Sequence, residues 1–454
     1  MKDLLLAYYG DDFTGSTDML DALHGAGIET VLFLAPPPAD ARERFPNARC
    51  FGLAGTARSR DAAWMDRELP SAFDSLARLG APILQYKICS TFDSSPAIGS
   101  IGRAIDIGVK CMPGRWSPMV VAAPRLGRYQ AFGTLFAVAS GAVHRLDRHP
   151  TMTRHPVTPM DEADLRRHLA RQTQRRVELI DLLALRGGRA AAPQGDDVPV
   201  VLFDALDDET LAEVGRVIWE QRGDGVFSAS SSGLVDALVA HWRRTGLLGE
   251  PAAASPLRPV DRIAAVSGSC SPVTAAQIEC AATQGFALER LDIAPVLDEA
   301  TRAAEIERVV AAAVKALRAG RSPLIYSAAG PDDDAVRRFD EHAAHARLTR
   351  NEAARCVGYA LARVLPRLLD AVPLQRVVVA GGDSAGAVAQ ALDIDTLTVA
   401  APLAPGAPLC RAGSRLAARD GLEIVLKGGQ LGPSDFFGRV IGRATLTATP
   451  RGTP

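Results

Sequence analysis

An excess of charge of either sign is missing from this 454-residue chain, in which 51 Lys and Arg face 52 Asp and Glu. With no net field it cannot hold nucleic acid or an anionic membrane through bulk charge, so any anion must be held by a local arrangement. Aromatic residues are scarce, at 5%, which argues against stacking platforms for single-stranded nucleic acid. No run approaches the ~18 apolar residues of a membrane span. The apolar start at Leu4–Tyr9 runs into Gly10-Asp11-Asp12 without a small-residue cleavage site, and reads as a buried strand rather than a signal peptide. The seven cysteines, at 50, 89, 111, 270, 280, 356 and 410, are odd in number and lack CxxC spacing. They read as reduced thiols of a cytoplasmic protein. His149 and His155 have no companion Cys or carboxylate at metal spacing, so zinc is excluded and no metal-ligating residue is expected.

The length exceeds the ~250–300 residues at which one core stops growing, so two domains are expected. Short apolar runs alternate with helix-length amphipathic segments, which predicts an α/β fold: two domains, each a largely parallel sheet flanked by helices. Expected strands include Leu4–Tyr9, Thr30–Leu34, Cys50–Ala54, Pro82–Tyr86 and Met119–Ala123 in the first half. Ile263–Val266, Leu324–Ser327, Val377–Ala380, Leu397–Val399 and Ile424–Leu426 follow in the second. A stretch rich in Ala, Pro and Gly places a linker at 246–262, between domains at 1–245 and 263–454. Residues 190–197 read as a surface loop, and no solenoid repeat is present.

Three places share one layout of strand, short Gly/Ser/Asp loop and helix: Ala7–Asp18, Ala265–Thr274 and Val379–Ala387. Ligands of open α/β sheets bind where such loops sit, and helix N-termini there attract anions. None is a P-loop or a GxGxxG fingerprint. In the first loop Asp12 could accept the proton of a substrate hydroxyl, or Asp12 or Ser16 could simply cap a helix from about Ser16 to Ala26. Asp11 beside it is costly unless it meets a cation. Asp18 could lie on the exposed helix face. Lys87 with Ser90, Thr91 and Asp93 would suit a polyhydroxy carboxylate, or form a solvated turn. Arg58 could clamp a carboxylate in bidentate fashion. The segment Arg145–Pro159, with Arg154 and His155, reads as an irregular loop serving as a lid or anion site. Lys427-Gly428-Gly429 could line nucleotide phosphates, and His342 and His345 read as solvated.

Taken together and in order, GDDFTGSTD, YKICSTFDSSP, VVAAPRLGRYQAFGTLF, RHPTMTRHPVTPM, VSGSCSPVTAAQI, VAGGDSAGAVAQAL and LKGGQLGPSDFF resemble the four-carbon acid sugar kinase family. The resemblance spans residues 4 to 440. It implies an N-terminal domain for a sugar acid, a C-terminal domain for ATP, an active site in the inter-domain cleft, and Mg2+ entering with ATP. It implies Asp12 as general base, with Arg58, Lys87, Ser90, Thr91 and Asp93 toward the acid; Asp11, Arg154 and His155 are expected to bind substrate beside them. Ser267, Ser269, Gly381, Gly382, Asp383, Ser384, Gly428 and Gly429 fall around the nucleotide. The family loop that often reads Glu-Thr-Ser is Asp383-Ser384-Ala385 here. The expected substrates are D-threonate, D-erythronate, a 3-oxo-tetronate or a branched 3-oxo acid such as 3-oxo-isoapionate, with no nucleic-acid or membrane partner and a homodimer left open. A non-catalytic sugar-acid sensor and a dinucleotide-dependent oxidoreductase are the alternatives. The latter is opposed by the missing GxGxxG and by the lack of an acidic residue at a second strand end.

Overall fold

The computed structural model describes all residues except 1, 113, 140, 156, 194–196, 252–255 and 443–454, and does not describe the side chains of Asp383 and Ser384. Two compact units divide the chain, residues 1–253 and 254–454. Parts of the expected linker (252–255) and of the expected surface loop (194–196) therefore lie outside the described residues. Among the described residues no helix is long and apolar enough to cross a membrane. All seven cysteines are free thiols.

The first unit is built on a parallel sheet of β1 (Leu6–Gly10), β2 (Thr30–Phe33), β3 (Cys50–Ala54), β4 (Ile83–Lys87) and β11 (Val226–Ser230). Its spatial order is β11-β4-β1-β3-β2. All five strands are buried, as parallel strands covered on both faces must be. Helix Ala62–Ala77 buries Met65, Leu69, Phe73 and Leu76, spaced to form one stripe. That stripe shares a core with Phe51, Leu84 and Tyr86 of the sheet.

Two smaller sheets complete this unit. One joins β5 (Ser117–Met119), β9 (Val177–Ile180) and β10 (Val200–Phe203) in parallel. The other is an antiparallel meander of β6 (Arg128–Ala131), β7 (Thr134–Ala139) and β8 (Ala142–Arg145). The expected strand Met119–Ala123 is thus displaced: the ladder ends at Met119, and buried Val120–Ala123 runs on without it. Hydroxyls replace the ladder, since Ser230 Oγ accepts from Val120 N and Ser231 Oγ donates to Val121 O, both at 2.8 Å.

The second unit repeats the winding. Strands β12 (Ala264–Ser267), β13 (Ala287–Arg290), β14 (Pro323–Tyr326), β15 (Arg376–Ala380) and β18 (Glu423–Lys427) run parallel in the order β18-β15-β12-β14-β13. An antiparallel hairpin, β16 (Ile394–Ala404) and β17 (Ala407–Ser414), continues the sheet beyond β18. In both units the chain leaves the first strand to one side, then returns to the other side of it. The carboxyl ends beside that first strand are the topological switch point, where open α/β sheets take their ligands.

Candidate active site

In the first unit the switch point falls between β1 and its neighbours β3 and β4. Register sets Lys87, Gly10 and Ala54 side by side at the strand ends. The loop after β1 then turns directly into helix Phe13–Gly25. The helix starts three residues earlier than expected because Asp12 is its N-cap, with Oδ1 accepting from Gly15 N at 2.6 Å. Capping and chemistry do not exclude each other here. Asp12 Oδ2 accepts from Arg58 Nη1 at 2.5 Å, and its side chain remains 28% exposed, with lone pairs free for a hydroxyl proton.

Arg58, just past β3, is the hub. Its Nη2 and Nε donate to the two oxygens of Asp11, at 2.6 and 3.1 Å. Three of its five N–H groups therefore hold Asp11 and Asp12, leaving two for a ligand. Asp11 is only 2% exposed and lies beneath Arg58, so it supports the guanidinium rather than facing outward. Burial pushes its carboxyl up to about 6, with Asp12 adding to the rise and Arg58 pulling against it. Burial works against the Arg58 cation, but the two carboxylates hold its pKa above the ordinary value.

Lys87 is buried rather than solvated, and its Nζ lies 3.7 Å from Asp18 Oδ2. Asp18 in turn lies 4.0 Å from Arg125, whose Nε donates to Asp236 at 2.9 Å. Sequence reading singled out neither Arg125 nor Asp236. Arg125 stands inside the quoted PRLGRY stretch, but only the fold brings it to Asp18. Gly15 sits at the centre of the group. A Cβ there would fall 2.5 Å from Asp12 Oδ1 and 3.2 Å from Lys87 Nζ, so a side chain would occupy the space the charges surround.

The loop after β4 closes the group. Thr91 Oγ1 donates to Asp93 at 2.8 Å, and Cys89 Sγ lies 2.9 Å from the same hydroxyl. Burial pushes the Cys89 thiol up to about 11, so it stays protonated. Phe92 between them has φ of 59°, a left-handed conformation costly for a side-chain-bearing residue and held by its fully buried ring. Ser90 is half-buried at the same turn.

Arg154 and His155 are not brought to this group. Their segment is more regular than expected: Arg145 ends β8, and two 3-10 turns, Leu146–Arg148 and Met152–Arg154, follow. Arg154 is exposed, while His155 Nδ1 is turned onto Thr158 N at 3.0 Å. His149 likewise accepts from Thr151 N and Met152 N, so these imidazoles shape the turns.

In the second unit the corresponding strand ends carry hydroxyls and glycines. Register aligns Lys427, Ala380, Ser267 and Tyr326 across β18, β15, β12 and β14. Ser271 caps helix Pro272–Thr283 by accepting from Thr274 N at 3.1 Å. Its Oγ and that of Thr274 both donate to Gly429 O, at 2.5 and 2.8 Å. Ser269 packs under Gly429, where a Cβ would fall 2.3 Å from its Oγ. Gly381 has φ of 122°, which glycine alone tolerates, and opens helix Gly382–Ala391. Three of the expected nucleotide loops, at Ser267–Ser271, Gly381–Gly382 and Gly428–Gly429, are thus joined. The side chains of Asp383 and Ser384 lie outside the described residues.

Lys427 stands under this junction. It is 1% exposed, and its Nζ donates to Thr274 Oγ1 at 3.3 Å and Gly428 O at 3.1 Å, with the Phe436 ring centred 5.5 Å away. None of these partners is an anion, and burial lowers its pKa to about 8. A buried ammonium with neutral partners beside the first turn of a helix would be stabilised by a nearby anion. No group of three or more His, Cys, Asp or Glu among the described residues could hold a metal.

One switch point ringed by carboxylates and cations, and another by hydroxyls, glycines and one ammonium, define an α/β protein with two chemically distinct candidate sites. A family model for a sugar-binding N-terminal domain matches residues 6–238, and one for a nucleotide-binding C-terminal domain matches residues 264–437. A 3-oxo-isoapionate kinase of Paraburkholderia graminis is 64% identical over 96% of this chain and 94% of its own. A 3-oxo-tetronate kinase of Methylobacterium radiotolerans is 32% identical over 96% of this chain and 99% of its own. A crystal structure from Salmonella typhimurium LT2 superposes with a TM-score of 0.75 at 26% identity, covering 96% of this chain and 98% of that one. The chain belongs to the four-carbon acid sugar kinase family.

Proposed function

We propose that this protein is an ATP-dependent kinase that phosphorylates a hydroxyl of a small sugar acid, with 3-oxo-isoapionate as the first candidate. The observation that carries the substrate is the 64% identity, over 96% of the chain, to a relative named for that activity. The observation that carries the chemistry is Asp12, a part-exposed carboxylate held at two points beside unused Arg58 donors.

Arg58 and Lys87 attract the acid's carboxylate and oxygens, and Asp12 accepts the proton of the reacting hydroxyl. That oxygen bonds to the γ-phosphorus of ATP as the bond to the leaving ADP oxygen breaks. Helix N-termini at Ser271 and Gly381, with Lys427, hold the phosphates. Mg2+ bound with the nucleotide would supply charge neutralisation and would call for few protein ligands, in keeping with the lack of a metal-holding cluster among the described residues. Positioning and electrostatics dominate phosphoryl transfer, which fits a site of fixed charges.

The test is ADP release by the purified chain with ATP, Mg2+ and, in turn, 3-oxo-isoapionate, 3-oxo-tetronates, D-threonate and D-erythronate. Acid-dependent release, greatest with the branched 3-oxo acid, supports the reading. No acid-dependent release from any of them rejects it.

A further inference from the structure

An unassigned concavity of the second unit lies where the loops after β13 and β14 meet. It holds about 300 Å³, at the small end of ligand pockets, and is lined by Arg290, Asp292, Ala294, Asp334, Arg338 and His342 among others. Resting on the nucleotide reading above, we infer that this pocket takes the nucleoside end of the nucleotide.

Placement is the first argument. Arg290 is in register with Tyr326, and Tyr326 with Ser267, so the pocket mouth and the phosphate loop share one level of the sheet. Two strand spacings separate them, about 10 Å, a gap that a ribose and its first phosphate bridge. The intervening loops also touch: a Cβ on Gly330 would fall 2.9 Å from Ala275 Cβ in the first turn of helix Pro272–Thr283.

Rigidity is the second. Arg290 clamps Asp333 through two bonds of 2.9 and 2.8 Å, and Asp333 accepts from Ala329 N and Ala335 N. This ties the loop after β14 to the end of β13. The loop after β13 is tied in turn to helix Glu299–Arg318, where buried Glu305 accepts from Asp292 N at 2.8 Å and Arg308 donates to Arg290 O at 2.6 Å. The walls are therefore set before any ligand arrives.

The third is chemistry. Asp292 stands two residues past β13 and lines the pocket, where its carboxylate is the kind of group that takes ribose hydroxyls in nucleotide-binding α/β folds. Sequence reading missed it because Ala287–Arg290 was not recognised as a strand. Asp292 makes no capping bond with its side chain and is exposed. Arg338, whose Nε donates to Glu341 at 2.9 Å, and His342 lie one helical turn apart and offer a guanidinium and an imidazole plane to a base.

The test is calorimetric binding of ATP, its dideoxyribose analogue and inorganic tripolyphosphate, each with Mg2+, to the full chain and to Ala294→Trp and Asp292→Ala. Both positions are exposed, so folding is checked simply by thermal unfolding. Filling the pocket with Trp is expected to weaken ATP at least about tenfold, and Asp292→Ala about tenfold, the range of a hydrogen bond to a charged group. Tripolyphosphate affinity should stay unchanged in both variants, and Asp292→Ala should lose the preference for ATP over the dideoxyribose analogue. Unchanged ATP affinity in both variants overturns the assignment. Parallel loss of ATP and tripolyphosphate also overturns it, because the phosphate loops would then be what changed. Wild-type chain that binds neither ATP nor tripolyphosphate rejects the nucleotide reading itself, which separates the two failures.

Discussion

The two units wind five parallel strands in the same order, yet line the same corner with opposite materials. In the first, the row at the strand ends carries Lys87, the loops above it supply Asp11, Asp12 and Arg58, and the helix after β1 supplies Asp18. In the second, the row carries Ser267 and Lys427, and the loops supply glycines and hydroxyls. Topology therefore decides where a ligand sits, and loop chemistry decides which ligand. A polyhydroxy acid needs both donors and acceptors, and its reaction needs a proton acceptor. A triphosphate needs donors and close backbone approach, and carboxylates near it would repel.

The comparison breaks most visibly at Arg58. Arg58→Met leaves Asp11 buried without its cation, and is expected to cost about 3–5 kcal/mol in urea unfolding and to abolish turnover. A loss under ~1 kcal/mol, the scale of a surface pair, would show that Arg58 is not the hub. Asp12→Asn should lower turnover at least ~100-fold while ATP affinity by calorimetry holds. Normal turnover in that variant would remove Asp12 from the chemistry.

Lys427→Met acts in the other unit and with opposite signs on two readouts. Nucleotide affinity should fall about 10–100-fold, whereas stability without ligand at pH 7 should rise by about 1–3 kcal/mol, since an unpaired buried charge is removed. The pH dependence sharpens this. Burial holds the folded-state pKa near 8, below that of the unfolded chain. Between the two values the unfolded chain binds more protons, so wild-type stability rises with pH through that window. Nucleotide affinity runs the other way, weakening above about 8 as the ammonium is lost. Both slopes should be absent in Lys427→Met, and their persistence would reject the role. The smallest effect is expected at Gly15→Ala, where the new Cβ crowds Asp12. It should cost about 1 kcal/mol, the scale of a lost cap, and lower turnover without changing ATP affinity.

Much of this was legible in the sequence because the information is local. Asp11, Asp12, Arg58, Lys87, Ser267 and Gly429 each stand at or just past an apolar strand run. Pairings made by distant segments were not legible: Arg125 with Asp18 and Asp236, or Thr274 with Gly429. The burial of Lys427 was hidden because Phe436 and the helix at Thr274, both distant in sequence, fold over it. The meander β6–β8 was missed because short strands broken by turns at Gly133 and Gly141 read as loop. Strand β16 was cut short at Val399 because Pro402 argues against a strand, and here the ladder survives it through register shifts on either side of Ala401.

Amide hydrogen exchange resolved by segment tests the division of labour most directly. A non-hydrolysable ATP analogue with Mg2+ should protect residues 267–274, 381–386 and 427–432 and leave 10–18 and 87–93 unchanged. The sugar acid alone should do the reverse. Protection of 10–18 by the nucleotide alone, or of 427–432 by the acid alone, would contradict the account.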